Sequence, residues 1–132
     1  MNNAGDMEKS EKWVCIIEDD VFINKAYASK FAHEKIAIKI AEDGEEGLRL
    51  LQSNSTPSLI LLDLMLPKKN GFEVLREVKK DPLLKDVPVI VLTNLGQESD
   101  AKRGLALGAN EYLVKANIKI DELVKKVQYY LG

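Results

Sequence analysis

Five short apolar runs punctuate the chain, and each is followed by a longer stretch in which apolar residues recur at helical spacing. "WVCII" (Trp13 to Ile17) is rich in β-branched residues and reads as a buried strand. "VFINKAYASKFAHEK" then repeats apolar positions at Ile23, Ala26, Tyr27, Phe31 and the stem of Lys30, one face of a helix. "IAIKIA" (Ile36 to Ala41) alternates as a strand does. "EDGEEGLRLLQS" starts on an Asp-Gly turn and continues as a helix with Gly47, Leu48 and Leu51 inward. "PSLILLD" is a third strand. A helix capped near Asn70 follows, "FEVLREVKK", with Val74, Leu75 and Val78 inside. "VPVIVLT" (Val87 to Thr93) is the fourth strand, and "QESDAKRGLALGAN" is a helix that stops near Gly108. "EYLVK" is the fifth strand. The final helix, "IDELVKKVQYYL", turns Leu123, Val124, Val127 and Leu131 to one side.

Strand and helix alternate five times, which predicts a doubly wound parallel sheet, because parallel strands need crossover connections. The continuous apolar runs agree, since strands covered on both faces lose the polar alternation. A length of 132 residues fits one domain, expected over residues 13–131 behind a polar, unpatterned leader at 1–12. The net charge of −2, with acids and bases interspersed, argues against a nucleic-acid or membrane surface as the main partner. A single cysteine, Cys15, excludes an internal disulfide and suits the cytoplasm; mid-strand, it reads as a small core residue. His33, the only histidine, reads as a surface residue, and the lysines at 68, 69, 79, 80, 125 and 126 as solvated faces.

The polar residues that finish the strands change the picture. The first strand ends at Glu18, Asp19 and Asp20, the third at Asp63, the fourth at Thr93 and Asn94, the fifth at Lys115. Taken singly each has a bland role: capping, a turn, packing, a solvated amine. With strand order 2-1-3-4-5, however, the four polar ends are neighbours, at the place where ligands bind in open α/β sheets. Carboxylates gathered there need a cation, and hard oxygen donors suit Mg²⁺. Lys115 adds a fixed positive charge and Thr93 a hydroxyl. A carboxylate in such company is a candidate nucleophile toward phosphorus. Asp63 is the one presented for attack.

These residues carry a resemblance. "IIEDD", "LLDLMLPKKNG", "PVIVLTN" and "GANEYLVK" together make the chain from Trp13 to Leu131 resemble the receiver domain of bacterial two-component response regulators, a flavodoxin-like fold. The resemblance implies that Asp63 accepts a phosphoryl group from a sensor histidine kinase or phosphotransfer protein. It implies a Mg²⁺ site at Glu18, Asp19, Asp63 and the carbonyl of Met65, with no other cofactor. Thr93 matches the switch hydroxyl, Lys115 the lysine that grips the phosphoryl group, and Tyr112 the aromatic that swings inward. The signal would leave through the fourth helix, fifth strand and last helix toward a downstream protein target. The expectation is a stand-alone monomer, or a phosphorylation-linked dimer, that touches neither nucleic acid nor membrane and turns over no outside substrate. A receiver that binds partners without being phosphorylated is the alternative.

Two positions depart from the family pattern. Ala116 stands where proline usually follows the lysine, and a cis bond there would cost about 3 kcal/mol against about 1 before proline, so the peptide is expected to be trans or strained. Asn94 replaces a small residue, beside Leu95 and Met65, whose apolar bulk would shield an acyl phosphate. Rival chemistries fare worse. A haloacid-dehalogenase-type phosphatase needs a second acid where Met65 stands, and a nucleotide or flavin carrier needs a phosphate-cradling loop where "EDDVF" is anionic.

Overall fold

A computed structural model describes residues 12–53 and 55–132; the expected leader lies, but for Lys12, outside the described residues. The strands are β1 (Val14–Ile17), β2 (Ile38–Ala41), β3 (Leu59–Leu62), β4 (Val89–Thr93) and β5 (Glu111–Val114). The helices are α1 (Val21–His33), α2 (Gly44–Leu51), α3 (Gly71–Lys80), α4 (Glu98–Ala106) and α5 (Ile120–Leu131), with a 3₁₀ turn at Lys115–Asn117. All strand pairings are parallel, in the order β2-β1-β3-β4-β5.

The period-two geometry of strands divides the core. Cys15, Ile17, Ile60, Leu62, Val89 and Val91 pack on one face against Leu48 and Leu51 of α2 and Val74, Leu75 and Val78 of α3. Val14, Ile16, Leu59, Leu61, Ile90 and Leu92 pack on the other, against Tyr27 and Phe31 of α1 and Leu123, Val124 and Val127 of α5. Side-chain caps start three helices. Asp20 accepts from the N–H groups of Phe22 and Ile23, Asp43 from Glu46, and Asn70 from Glu73.

Several expectations change in detail. On α1 Asn24 faces inward together with Tyr27 and Phe31, while Ala26 is exposed. Asp20 is the helix cap, not part of a strand-end cluster. Lys79 is not a freely solvated side chain: its ammonium donates to the carbonyls of Lys85 and Val87, at 3.1 Å each. Lys126 pairs with Glu111 across α5 and β5 at 2.8 Å, and the Tyr130 hydroxyl donates to the same carboxylate at 2.7 Å. His33 is exposed and Cys15 is buried, its thiol pushed up to about 12 by burial. Gly108 closes α4 with φ at 113°, a left-handed turn. All described peptide bonds are trans, so the loop at Ala116 takes the trans form.

Candidate functional site

Parallel pairing of β1 with β3 sets Ile17 level with Leu62. The residues that follow, Glu18 and Asp63, therefore leave the sheet side by side. Their main chains are fixed there: the Glu18 N–H donates to the Ala41 carbonyl and the Asp63 N–H to the Ile17 carbonyl, both at 3.0 Å. Glu18 is 2% exposed and Asp63 5% exposed, while Asp19 beside them is open to solvent. Each of the three offers a carboxylate oxygen, and these oxygens lie within 4.8 Å of one another.

Such a cluster is unfavourable on its own, and Lys115 offsets part of it. The ammonium donates to Asp63 Oδ2 at 2.8 Å and forms an ion pair with Glu18 Oε1. Burial works against the charge on Lys115, but its bonds to Asp63 and Glu18 outweigh that and raise its pKa. Glu18 is also raised above the usual carboxylate range: burial dominates, the Lys115 and Asp20 hydrogen bonds pull the other way, and the charge of Asp63 adds to the rise. Three carboxylates facing one ammonium leave two uncompensated negative charges. A small divalent cation with a preference for oxygen donors fits this donor set.

The loop after β3 presents Asp63. Its Oδ1 accepts the Met65 N–H at 3.1 Å, and the Gly71 N–H donates to the Leu64 carbonyl at 2.9 Å. Two glycines make this turn possible through space alone. A Cβ on Gly71 would lie 2.3 Å from the Asp63 carbonyl oxygen, and one on Gly44 would lie 1.9 Å from that of Lys69. The Met65 side chain is 55% exposed, so it borders the site from solvent.

Thr93 ends β4 fully buried, and its Oγ1 faces the Leu95 N–H at 3.4 Å. Asn94 is exposed. Tyr112 is half-buried on β5; its hydroxyl donates to the Leu95 carbonyl at 2.6 Å, and its ring packs on Gly104 of α4. The structure thus brings Glu18, Asp19, Asp63 and Lys115 into one group. Tyr112 sits apart from them, tied to the β4–α4 loop. Sequence reading missed Asn24, and it took Gly44 and Gly71 as turn glycines without the close main-chain approach that each allows. Gly44, in an Asp-Gly turn, and Gly71, after "LLDLMLPKKN", carried a turn signal, but nothing local showed that a side chain at either would strike the main chain; Asn24 carried no signal.

Comparison with known proteins accords with this geometry. The family model described as "Response regulator receiver domain" matches residues 14–128. The chain is 40% identical over 110 residues to a "Probable transcriptional regulator ycf27" of Guillardia theta, covering 83% of this chain and 41% of that protein. It is 36% identical over 118 residues to the "DNA-binding dual master transcriptional regulator RpaA" of a Synechocystis strain, covering 89% of this chain and 48% of that protein. Among solved structures, the Mn(2+)-bound form of response regulator Rcp1 superposes with a TM-score of 0.77 at 37% identity, covering 89% of this chain and 90% of that one. The chain spans less than half the length of these two curated relatives. Their names run against the expectation of a stand-alone protein that meets no nucleic acid. The nucleic-acid part of that expectation rested on the charge of these 132 residues and the stand-alone part on their length, and neither says anything of the remainder of such proteins. By its fold, its matched family model and its relatives, the chain belongs to the response regulator receiver domains of two-component signalling.

Proposed function

We propose that this domain, residues 13–131, is a phosphorylation-operated switch in which Asp63 is the phosphoacceptor. The observation that carries this reading is the convergence of the buried Asp63 with two further acids and Lys115 at the C-terminal ends of the central strands. Glu18, Asp19 and Asp63 would hold Mg²⁺, with the Met65 carbonyl as the backbone ligand that the family resemblance implies. Bound there, the ion would neutralise charge on the transferring phosphoryl group.

The chain's own residues do the rest. Lys115 holds Asp63 Oδ2, and the Met65 N–H holds Oδ1, so the carboxylate is oriented before a donor arrives. One Asp63 oxygen attacks the phosphorus of a phosphohistidine. The new bond is P–O, the P–N bond breaks, and the imidazole leaves with its electron pair and takes a proton. Lys115 then shifts its donor hydrogens onto the phosphoryl oxygens, and Thr93 supplies a hydroxyl to another. Leu95 moves with Thr93, and the Tyr112 bond to the Leu95 carbonyl links that movement to α4 and β5. The changed α4–β5–α5 surface is read by a downstream partner in the cytoplasm. In a longer protein built like the curated relatives, that reader would be an attached DNA-binding part.

The test is intact-mass spectrometry after incubation with acetyl phosphate and Mg²⁺. One phosphoryl adduct is expected in the wild type, abolished by EDTA and absent from Asp63→Asn. An adduct that persists in Asp63→Asn would move the acceptor elsewhere. No adduct at all would favour an unphosphorylated binding module.

A further inference from the structure

Three residues, Glu18 to Asp20, join β1 to α1, and the main-chain N–H and carbonyl groups of Glu18 and Asp20, on either side of Asp19, are all held. The Glu18 N–H donates to Ala41, the Asp20 N–H to Glu18 Oε2 at 2.9 Å, and the Asp20 carbonyl accepts from the Asn24 N–H at 2.9 Å. The Glu18 carbonyl accepts from the side chain of Asn24, Nδ2 to oxygen at 2.7 Å. That carbonyl shares a rigid plane with the Asp19 N–H. No described residue holds the Asp19 carboxylate by a hydrogen bond or ion pair, so the backbone sets the direction in which the side chain leaves, and only its own rotamers choose among the positions that remain.

Asn24 is an odd occupant of this position. It is 7% exposed, on the face of α1 that also carries Tyr27 and Phe31, where an apolar residue would pack at no polar cost. Its Oδ1 has no hydrogen-bond partner among the described residues. A buried amide with one end unsatisfied is unfavourable. The one thing the amide does is hold the Glu18 carbonyl.

We propose that Asn24 is a positioning residue for the cation site: by clamping the Glu18–Asp19 peptide it directs the Asp19 carboxylate toward Glu18 and Asp63. The inference rests on the reading of that cluster as a divalent-cation site. Partners that orient metal ligands are worth about 10- to 100-fold in metal affinity.

The experiment compares Mg²⁺ dissociation constants by titration calorimetry for the wild type, Asn24→Leu and Asn24→Ser, each held well below its melting temperature in metal-free buffer. Asn24→Leu keeps the branched four-atom side chain, with bulkier methyl groups, and loses the donor; Asn24→Ser leaves a short hydroxyl and covers the case in which leucine prevents folding. Affinity should weaken about tenfold or more in Asn24→Leu, and in the same direction but by less in Asn24→Ser. A purely structural asparagine would lower the melting temperature and leave the dissociation constant of the folded protein unchanged, which would overturn the proposal. Failure of the wild type to bind Mg²⁺ would instead overturn the cation-site reading itself.

Discussion

Replacing Lys115 by methionine tests the electrostatics of the site most directly. The substitution keeps an unbranched stem of similar length and deletes the only charge that offsets Glu18 and Asp63 among the described residues. Both acids are almost fully buried, and removing one partner of a buried ion pair costs about 3–5 kcal/mol. For a chain of 132 residues each kcal/mol lowers the melting temperature by about 3–5 °C, so a fall of about 10–20 °C is expected in EDTA at pH 7.5. The deficit has a predictable sign with pH. The folded pKa of Glu18 is already raised, chiefly by burial, and loss of Lys115 raises it further. A raised carboxylate contributes stability that is fully present below its unfolded value and is lost as pH rises through the folded one. The gap between variant and wild type should therefore narrow toward pH 5 and widen toward neutrality. Millimolar Mg²⁺ should narrow it at pH 7.5. The assay is a set of thermal melts by circular dichroism at two pH values, with and without Mg²⁺. A deficit that ignores both pH and Mg²⁺ would mean that Lys115 acts by packing, and the charge argument would fail.

Two further outcomes follow from the geometry. Gly71→Ala forces a Cβ against the main chain of Asp63 and Leu64, where no flexible side chain can yield; overpacking of this kind costs about 1–3 kcal/mol. Its melting temperature should fall by about 5 °C or more, with weaker Mg²⁺ binding, and an unchanged melt would show that the turn relaxes freely. Glu111→Gln addresses the β5–α5 edge. The Lys126 bond, first among its causes, depresses the Glu111 pKa, so its stabilising contribution exists above the unfolded value near 4.3 and disappears as pH falls through the folded one. Wild-type melts should lose stability over that acidic window more steeply than those of Glu111→Gln; parallel curves would refute the pairing.

How much of this was legible follows from which forces are local. The strands showed because burial on both faces leaves unbroken apolar runs, and four residues such as "LILL" or "VIVL", bounded by turn residues, are too short for a buried helix. The acids, Asp63 and Lys115 showed because a polar residue directly after such a run must leave the sheet at its C-terminal end. The α1 register was harder. Spacing arguments count apolar side chains, so they admitted Ala26 and passed over Asn24, whose burial is decided by a carbonyl on another segment. Gly44 is similar. Its local signal is a turn, yet its lack of a side chain is required by Lys69, twenty-five residues away. Lys79 and Lys126 looked like solvent-facing lysines because their acceptors lie outside their own helices, on the loop after α3 and on β5.

The topology also explains why the residue on β4 must be small. Neighbouring strands lie about 4.8 Å apart, and β4 separates β5 from β3. Lys115 therefore reaches Asp63 and Glu18 only by passing its side chain over the end of β4. Thr93 stands at that end, fully buried, with its hydroxyl occupied by no more than the long contact to the Leu95 N–H. On this topology a larger residue is expected to crowd the path of the lysine, and, if Asp63 is phosphorylated as proposed, an apolar one would offer nothing to the phosphoryl oxygens. Thr93 meets both demands at once. Under the proposed function, that weak bond would leave it free to turn toward a phosphoryl group on Asp63.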